Sequence, residues 1–423
     1  MLKKTLLANP VKSLLSDGFE GLANKSLSER MVTYFWLLGP FVFLIERTPA
    51  DVWIVIIDLA FLVKCAFARN WSWMKNYWVV SIFVFWFALF ISSFNSPLPW
   101  IAFSESLIWI RFPLLVIASV FWLAKDSRIS ALMIISTGAG LACMFLISTA
   151  ELWFSYENWK TVARFSWPYG DFVTGNYYAK TCLIITILAG TLISQREQHR
   201  SLIGILLAGL IVSFSILAGE RMNALVVVSS LGLTILWLNY KRPGYIVVAL
   251  SCLIIFVCVI IQTSDYLFVK FTKSFIEGVT KLTESGYIQI WQTSFEIFKS
   301  VPITGIGTAT SRFLCDGFQF DVNIIHRCSN HPHQFYLQVL AETGIVGMIA
   351  FLIMVGSIIK RTWESGHYSN SPLKKCCFII PLAFFFPIQS NADLFGQWMN
   401  SHMWFGISLA MALALSKNQT KQI

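Results

Sequence analysis

The sequence predicts an all-α polytopic membrane protein, and three observations carry this prediction. Of the 423 residues, 56% are hydrophobic and only 13% are charged, which exceeds what one soluble core can bury. Apolar runs long enough to cross a bilayer recur along the chain. Basic residues collect in every second connection between these runs, as on the cytoplasmic side of a membrane.

The apolar runs predict about twelve transmembrane helices, of which the last two are short. They cover residues 31–45, 52–67, 78–94, 108–123, 129–152, 178–194, 202–217, 223–238, 245–261, 345–359, 378–389 and 403–415. The predicted units are therefore a cytoplasmic segment at 1–30, a bundle at 31–261, one long periplasmic loop with short helices at 262–344, further spans at 345–415 and a cytoplasmic tail at 416–423.

The placement of Lys and Arg predicts that both chain ends are cytoplasmic. With that orientation, about twenty of the 32 basic residues lie inside. The orientation puts the loop at 262–344 outside, on one face with Arg164, Arg221, His331 and His333.

The first thirty residues lack the apolar stretch of a cleavable signal. Lysines alternate with leucines there, at Lys3, Lys4 and Lys12, which indicates an interfacial amphipathic helix. A disordered tail is the alternative.

Several functions are disfavoured by composition. The net charge of +10 is scattered over short loops, so orientation and anionic lipid explain it better than nucleic acid. No CxxC pair, P-loop or dinucleotide fingerprint is present, so we expect no metal or cofactor. A zinc site from Cys328, His331 and His333 would have only three ligands.

Two cysteines, Cys315 and Cys328, differ from the others because they lie in the long hydrophilic loop. In an oxidising compartment they could form a disulfide, worth about 3 kcal/mol for such a loop length.

The stretch from Cys328 to Gly347 is a polar hinge in an apolar chain. Asn330 is suited to cap a short helix that has Pro332 in its first turn and ends at Gly344. His331 and His333 would then lie beside free helix amides at a membrane surface.

These residues resemble the signature of the O-antigen ligase family, which joins lipid-carried glycans to an acceptor outside the inner membrane. The resemblance rests on a His-x-His-Gln start at His331, on Glu342 nine residues after His333, and on a Gly-x-x-Gly close at Gly344.

Further stretches also resemble the family. Arg164 precedes Asn176 and a span, and Arg221 lies in a tight turn between two apolar runs. After Trp291 comes an amphipathic helix with Pro and Gly-x-Gly, but Tyr287 marks a neighbourhood where family members often carry an arginine. Arg312 or Lys281 could replace that cation.

The resemblance implies a metal-independent, inverting glycosyltransferase of the bacterial inner membrane, active at the periplasmic face. It would transfer polysaccharide from undecaprenyl pyrophosphate to a lipid A core sugar. Arg164 and Arg221 would hold the pyrophosphate, and His333 would activate the acceptor hydroxyl. The remaining predicted substrate contacts are His331, Lys180, Asn176, Arg312 and Glu342.

Structural alternatives remain for several of these residues. Arg221 could pair with Glu220 or a lipid phosphate, Lys180 could snorkel, and Glu342 looks more like a helix-orienting partner than a proton carrier. We expect Arg111 to pair with Glu105.

Other functions also remain open at this stage. An O-antigen polymerase and a protein O-oligosaccharyltransferase belong to the same superfamily. A lipid-linked glycan flippase is the rival from another class, and it predicts internal repeats and charges deep in the bundle. No repeat is visible in the sequence.

Overall fold

The structure is a computed structural model that describes residues 10–167, 178, 180–281, 286–315, 329, 331–387 and 393–416. Within these residues all regular structure is helical, which confirms the predicted class. The α-helices are Pro10–Ala23, Leu27–Leu37, Gly39–Val42, Arg47–Phe67, Tyr77–Phe94, Pro99–Trp109, Arg111–Ala118, Ser127–Phe154, Tyr156–Val162, Leu183–Ile193, Gln198–Leu217, Arg221–Asn239, Pro243–Gln262, Asp265–Phe268, Ser274–Thr280, Gly286–Ser300, Ser311–Leu314, Phe335–His367, Pro372–Cys376, Ile379–Phe384 and Gln397–Leu415.

Among the described residues, seven helical stretches are long and apolar enough to cross a membrane, so the chain is a multi-pass membrane protein. They are Tyr77–Phe94, Pro99–Leu123, Ser127–Phe154, Gln198–Leu217, Arg221–Asn239, Pro243–Gln262 and Phe335–His367. The other predicted spans fall on helices that are short, interrupted or charged, such as Leu183–Ile193 and Arg47–Phe67, or, at Gln397–Leu415, polar in the first turns. The count of twelve therefore stays a prediction.

The final helix, Gln397–Leu415, lies at the centre of the bundle. Every residue from Trp398 to Ala414 is buried, although the stretch includes Asn400 and His402. By contrast, Pro243–Gln262 has no buried residue and lies at the periphery. The last helix is therefore the axis against which the others pack.

The last helix and the helix that begins at Arg221 both run away from the same end of the bundle. Trp237, near the end of the latter, packs against Phe378 with ring centroids 5.2 Å apart. Nearby, the Lys374 amine donates to the carbonyl of Ser416, just past the last helix, at 2.7 Å. Both helices therefore begin at the other end, which we call the site end.

The longest helix, Phe335–His367, also begins at the site end. The Gln338 amide donates to the carboxylate of Asp393 at 2.5 Å, and Asp393 lies four residues before Gln397, where the last helix begins. Gln334 caps this long helix by accepting from the Leu337 amide at 2.6 Å. The predicted first turn at Pro332 is therefore wrong, because the Gln334 cap sets the start at Phe335; Asn330 lies outside the described residues.

The long helix is interrupted at Gly344, as the sequence predicts. Gly344 has φ 63° and ψ −165°, a conformation that is essentially restricted to glycine. At this interruption the backbone of residues 302–303 packs against the helix, and the Ile345 amide donates to the carbonyl of Pro302 at 2.9 Å. A Cβ on Gly344 would lie 2.3 Å from the carbonyl oxygen of Ile303.

We expect Gly344→Ala to destabilise the protein by about 1–3 kcal/mol, because it combines backbone strain with a clash against a carbonyl. Gly356→Ala in the same helix is the matched control, since nothing lies within 4 Å of its added Cβ. The control should be neutral or stabilising by up to about 1 kcal/mol. Thermal unfolding in detergent checks this, and equal effects of the two substitutions would contradict it.

Candidate active site

Two turns from different parts of the chain pack against each other at the site end. Ala163 ends the Tyr156–Val162 helix with φ 47°, and Gly219 lies before Arg221 with φ 77°. A Cβ on Gly219 would lie 1.6 Å from the carbonyl oxygen of Ala163, so the contact requires glycine. We call residues 162–164 and 218–221 the paired turns.

The paired turns carry two arginines and one carboxylate. Arg164 forms an ion pair with Glu220, which is the N-cap residue of the following helix. Arg221 is exposed, and in the described part of the chain its guanidinium makes no hydrogen bond or ion pair. The predicted alternative of an Arg221 to Glu220 pair is therefore not what the structure shows.

Buried hydrogen bonds fix the paired turns in place. The carboxylate of Glu151 is fully buried and accepts from the amides of Ser166 and Trp167 at 2.7 and 3.1 Å. The Trp159 indole donates to the carbonyl of Leu217 at 3.0 Å. The arginines thus project from backbone that is held on both sides, which lowers the entropic cost of binding a ligand.

A third cation, Lys270, lies on the paired turns and was missed by the sequence analysis. Its amine donates to the carbonyls of Val162 and Ala163 at 2.6 and 3.0 Å. Burial lowers the pKa of Lys270 to about 8, with further lowering by Arg164 and Arg221 and an opposing effect of Glu220. Burial is the largest cause of this lowering, and an anion bound beside the amine would raise the pKa again.

Lys180 lies deeper in the bundle than the sequence suggested. Its side chain is 1% exposed, so snorkelling to an interface does not describe it. Tyr178 places its hydroxyl against Gly140, about halfway along Ser127–Phe154. Lys180 interacts electrostatically with Glu220 and with His402 of the last helix. Asn176, the other contact predicted nearby, lies outside the described residues.

His331 and His333 form a hydrogen-bonded pair ahead of the long helix. The Nε2 atom of His331 is 3.1 Å from Nδ1 of His333. Trp291 donates its indole N–H to the carbonyl of Pro332 at 3.0 Å, and the ring of Tyr287 packs edge-on against His333 at 5.4 Å. An aromatic contact thus occupies the neighbourhood where the family pattern has an arginine.

The backbone of His333 lies in the left-handed region, with φ 56°. This conformation costs an ordinary residue about 1–2 kcal/mol. Strain of this kind concentrates where a side chain must be presented in a particular direction. It is consistent with the predicted role of the imidazole.

Asp393 was not singled out in the sequence, yet it faces the histidine pair. Its carboxylate is held by the Gln338 amide and by the backbone N–H of Phe395 at 2.9 Å, and it interacts electrostatically with His331. Burial lowers the pKa of His331 to about 4, the nearby His333 adds to this, and Asp393 opposes it. His331 is therefore neutral at physiological pH.

Glu342 is fully buried and serves the fold of the 305–311 loop. Its carboxylate accepts from the Ala309 amide at 2.8 Å and from the Ser311 hydroxyl at 2.5 Å. This agrees with the helix-orienting interpretation, and a substrate contact by Glu342 stays a prediction.

The ion pairs near this loop differ from expectation in one case. Arg312 pairs with Glu105 at 3.1 Å. Arg111 instead binds Asp51 at 2.6 Å, so the expected pair of Arg111 with Glu105 is wrong. Asp51 on the neighbouring Arg47–Phe67 helix is the partner, and Glu105 is already engaged by another arginine.

The residues predicted for a metal site and a disulfide lie partly inside and partly outside the described ranges. Among the described residues, no group of three or more His, Cys, Asp or Glu side chains could hold a metal ion. Cys315 is buried and disulfide-bonded. Cys328 lies outside the described residues, so both the predicted Cys315–Cys328 pairing and the three-ligand zinc alternative stay untested.

The fold and site together define a multi-pass helical membrane protein with a cationic turn pair and an imidazole pair at one end of its bundle. The family model described as "O-Antigen ligase" matches residues 205–352, which confirms the resemblance over that segment. The segment contains Arg221, Lys270 and the histidine pair.

A curated relative agrees with the family match over a shorter stretch. A Rickettsia conorii protein named "Putative polysaccharide ligase" is 29% identical over 94 residues. The aligned stretch is 21% of this chain and 23% of the relative, so the chain matches less than a quarter of that protein's length.

We expect stability to fall in acid because His331 is buried as the neutral imidazole. Its pKa of about 4 lies below the usual value of about 6.5, so between these values the unfolded chain binds a proton that the folded protein does not. The free energy of unfolding should drop by about 2 kcal/mol from pH 7 to pH 5, and above pH 7 the contribution of His331 should hardly change with pH.

Thermal unfolding of the His331→Asn variant at both pH values checks this effect. The variant should lose that part of the pH dependence, whereas His199→Asn, at a side chain 72% exposed, should retain it. The same pH dependence in wild type and His331→Asn would contradict the assignment.

Proposed function

We propose that this protein transfers a polysaccharide from undecaprenyl pyrophosphate to a sugar of the lipid A core, at the periplasmic face of the bacterial inner membrane. The observation that carries the proposal is the pair of packed turns, which gathers Arg164, Arg221 and Lys270 around one carboxylate. The family match to residues 205–352 supports it, since that segment contains most of the groups involved.

The charge of the paired turns suits a lipid pyrophosphate. Glu220 offsets one of the two arginines, which leaves Arg221 and Lys270 to meet an anion. A guanidinium donates two parallel hydrogen bonds to phosphate oxygens, and an amine adds a point charge beside them. A polyprenyl tail would extend from this site into the surrounding hydrocarbon.

The transfer step needs a base and a stabilised leaving group. The acceptor hydroxyl oxygen attacks the anomeric carbon, and the bond between that carbon and the pyrophosphate oxygen breaks. The electron pair leaves with the lipid pyrophosphate, whose charge Arg221 and Lys270 stabilise, and Arg164, paired with Glu220, contacts it beside them. The hydroxyl proton passes to His333, and attack from the opposite face inverts the anomeric configuration.

The neighbours of His333 suit it to this role. His331 is neutral and hydrogen-bonds to it, so His331 orients the ring without adding a second charge. Asp393 provides nearby negative potential that favours the protonated imidazolium after transfer. No nucleotide is needed for the step, because the energy is stored in the donor linkage.

We expect Arg221→Lys to lower transfer to below about a hundredth of wild type, because the lysine keeps the charge but loses the fork geometry. Arg196→Lys, in a connection at the other end of the bundle, is the matched control and should leave the rate unchanged. The measurement is product formed by purified protein from lipid-linked glycan and lipid A core acceptor in detergent. Near-normal activity of Arg221→Lys would remove Arg221 from the site.

We expect His333→Gly to lower the transfer rate by roughly 10²–10⁴-fold, because the general base is lost. The variant should still fold. Glycine accepts the positive φ at this position, whereas His333→Ala retains the backbone strain. The glycine variant should therefore melt at or above the temperature of the alanine variant, while both are inactive. An active His333→Gly variant with normal melting would show that the imidazole is dispensable.

A flippase is the second candidate, because the structure contains charges deep in the bundle. Lys180 is buried, and Asp58, midway along Arg47–Phe67, has both carboxylate oxygens buried without a hydrogen-bond partner in the described residues. The detergent assay distinguishes the two functions, since no gradient or sealed compartment exists there. Product in detergent supports transfer, and glycan movement across vesicles without product supports transport.

The nature of the acceptor is tested in cells that lack the gene. Full-length polymer accumulating on its carrier supports the ligase, and single repeat units on the carrier support a polymerase. Loss of glycan from proteins, with lipopolysaccharide intact, supports a protein O-oligosaccharyltransferase.

A further inference from the structure

Two adjoining cavities lie at the end of the bundle opposite the paired turns. Their volumes are about 330 and 430 Å³. They share a wall made of Lys64, Phe121, Trp122 and Lys125. The first is also lined by Leu415, at the C-terminal end of the last helix, which places both cavities away from the site end.

The charges that line the cavities do not balance. Lys64 pairs with Glu29, and Arg128 pairs with Asp126 at 2.8 Å. Three lining cations remain after these pairs, namely Lys25, Lys125 and Arg361.

The three remaining cations are only partly satisfied by the protein. Lys25 donates to the Leu123 carbonyl at 3.0 Å and to the Thr33 hydroxyl at 3.2 Å, which are neutral acceptors. The Nε atom of Arg361 is buried and has no hydrogen-bond partner among the described residues. Lys125 is exposed, and no ion pair is formed by it within the described ranges. An anion in the cavities would supply the missing acceptors.

The rim of the cavities borders an exposed apolar surface of the protein. On the Arg47–Phe67 helix, which carries Lys64, the side chains of Leu59, Val63 and Phe67 are 56%, 52% and 88% exposed. In a multi-pass membrane protein, an exposed apolar surface of this kind is suited to contact acyl chains. Lys64 also lies 5.6 Å from the ring of Trp122, in the mixed aromatic and cationic setting of a membrane interface.

We propose that these cavities bind the phosphate of an anionic phospholipid headgroup, with its acyl chains along Leu59, Val63 and Phe67. Lys125 and Arg361 bind the phosphate oxygens, and Lys25 adds positive potential. A soluble phosphate would meet the same cations but would leave the adjoining apolar surface unused. The site is independent of the transfer reaction and lies at the other end of the protein.

The test measures lipid binding to the full chain by native mass spectrometry after titration with phosphatidylglycerol or phosphatidylcholine. Wild type should retain phosphatidylglycerol in preference to phosphatidylcholine. The double variant Lys125→Gln/Arg361→Gln should bind it roughly tenfold more weakly. A control double variant, Lys273→Gln/Lys299→Gln, removes two cations from the long loop and should bind like wild type.

Three results would overturn the proposal. The first is equal retention of both lipids by wild type, and the second is unchanged binding by the double variant. The third is binding of inorganic phosphate as tight as that of phosphatidylglycerol. If the double variant unfolds, Lys125→Gln and Lys125→Arg replace it. The first should weaken binding and the second restore it, and identical binding by both would refute the site.

Discussion

The site depends on the close contact between the paired turns, where Gly219 meets the carbonyl of Ala163. Only glycine fits there, and the contact places Arg164 beside Glu220. An ion pair this exposed adds little stability by itself. Its consequence is electrostatic: the Glu220 carboxylate neutralises the Arg164 guanidinium, so Arg221 and Lys270 retain positive charge for a ligand. The packing of backbone on backbone, rather than the ion pair, makes the arrangement rigid.

The buried last helix relates the cationic turns to the histidine pair. Asp393, just before it, faces His331, while His402, in its second turn, interacts electrostatically with Lys180. Lys180 in turn interacts with Glu220 of the paired turns. Asp393 and His402, just before and within the last helix, therefore connect the histidine pair with the paired turns, which are distant in sequence. A substrate with a charged pyrophosphate and a reacting anomeric carbon would need both sets, because charge stabilisation and proton transfer act on different atoms.

Local sequence signals predicted the helices, the interruption at Gly344 and the turn at Arg221, because these depend on hydrophobic period and on backbone conformation near one residue. The start of the long helix was misplaced, since the Gln334 cap and the positive φ of His333 outweighed the Pro332 signal. Arg111 was paired wrongly because its partner comes from another helix. Lys270 and Asp393 were missed for the same reason: nothing local marks a charged residue whose role comes from a distant turn or helix start.

The distribution of cations between the two ends argues for function at the site end. On the predicted orientation, the positive-inside rule accounts for Lys and Arg at the cytoplasmic end and disfavours them in short connections at the other. Arg164 and Arg221 lie in such short connections. Orientation therefore does not explain these arginines, and with Lys270 they exceed the one carboxylate beside them. Uncompensated charge at a membrane boundary is costly unless an anion is bound there. The charge excess at the paired turns is thus best explained by an anionic ligand.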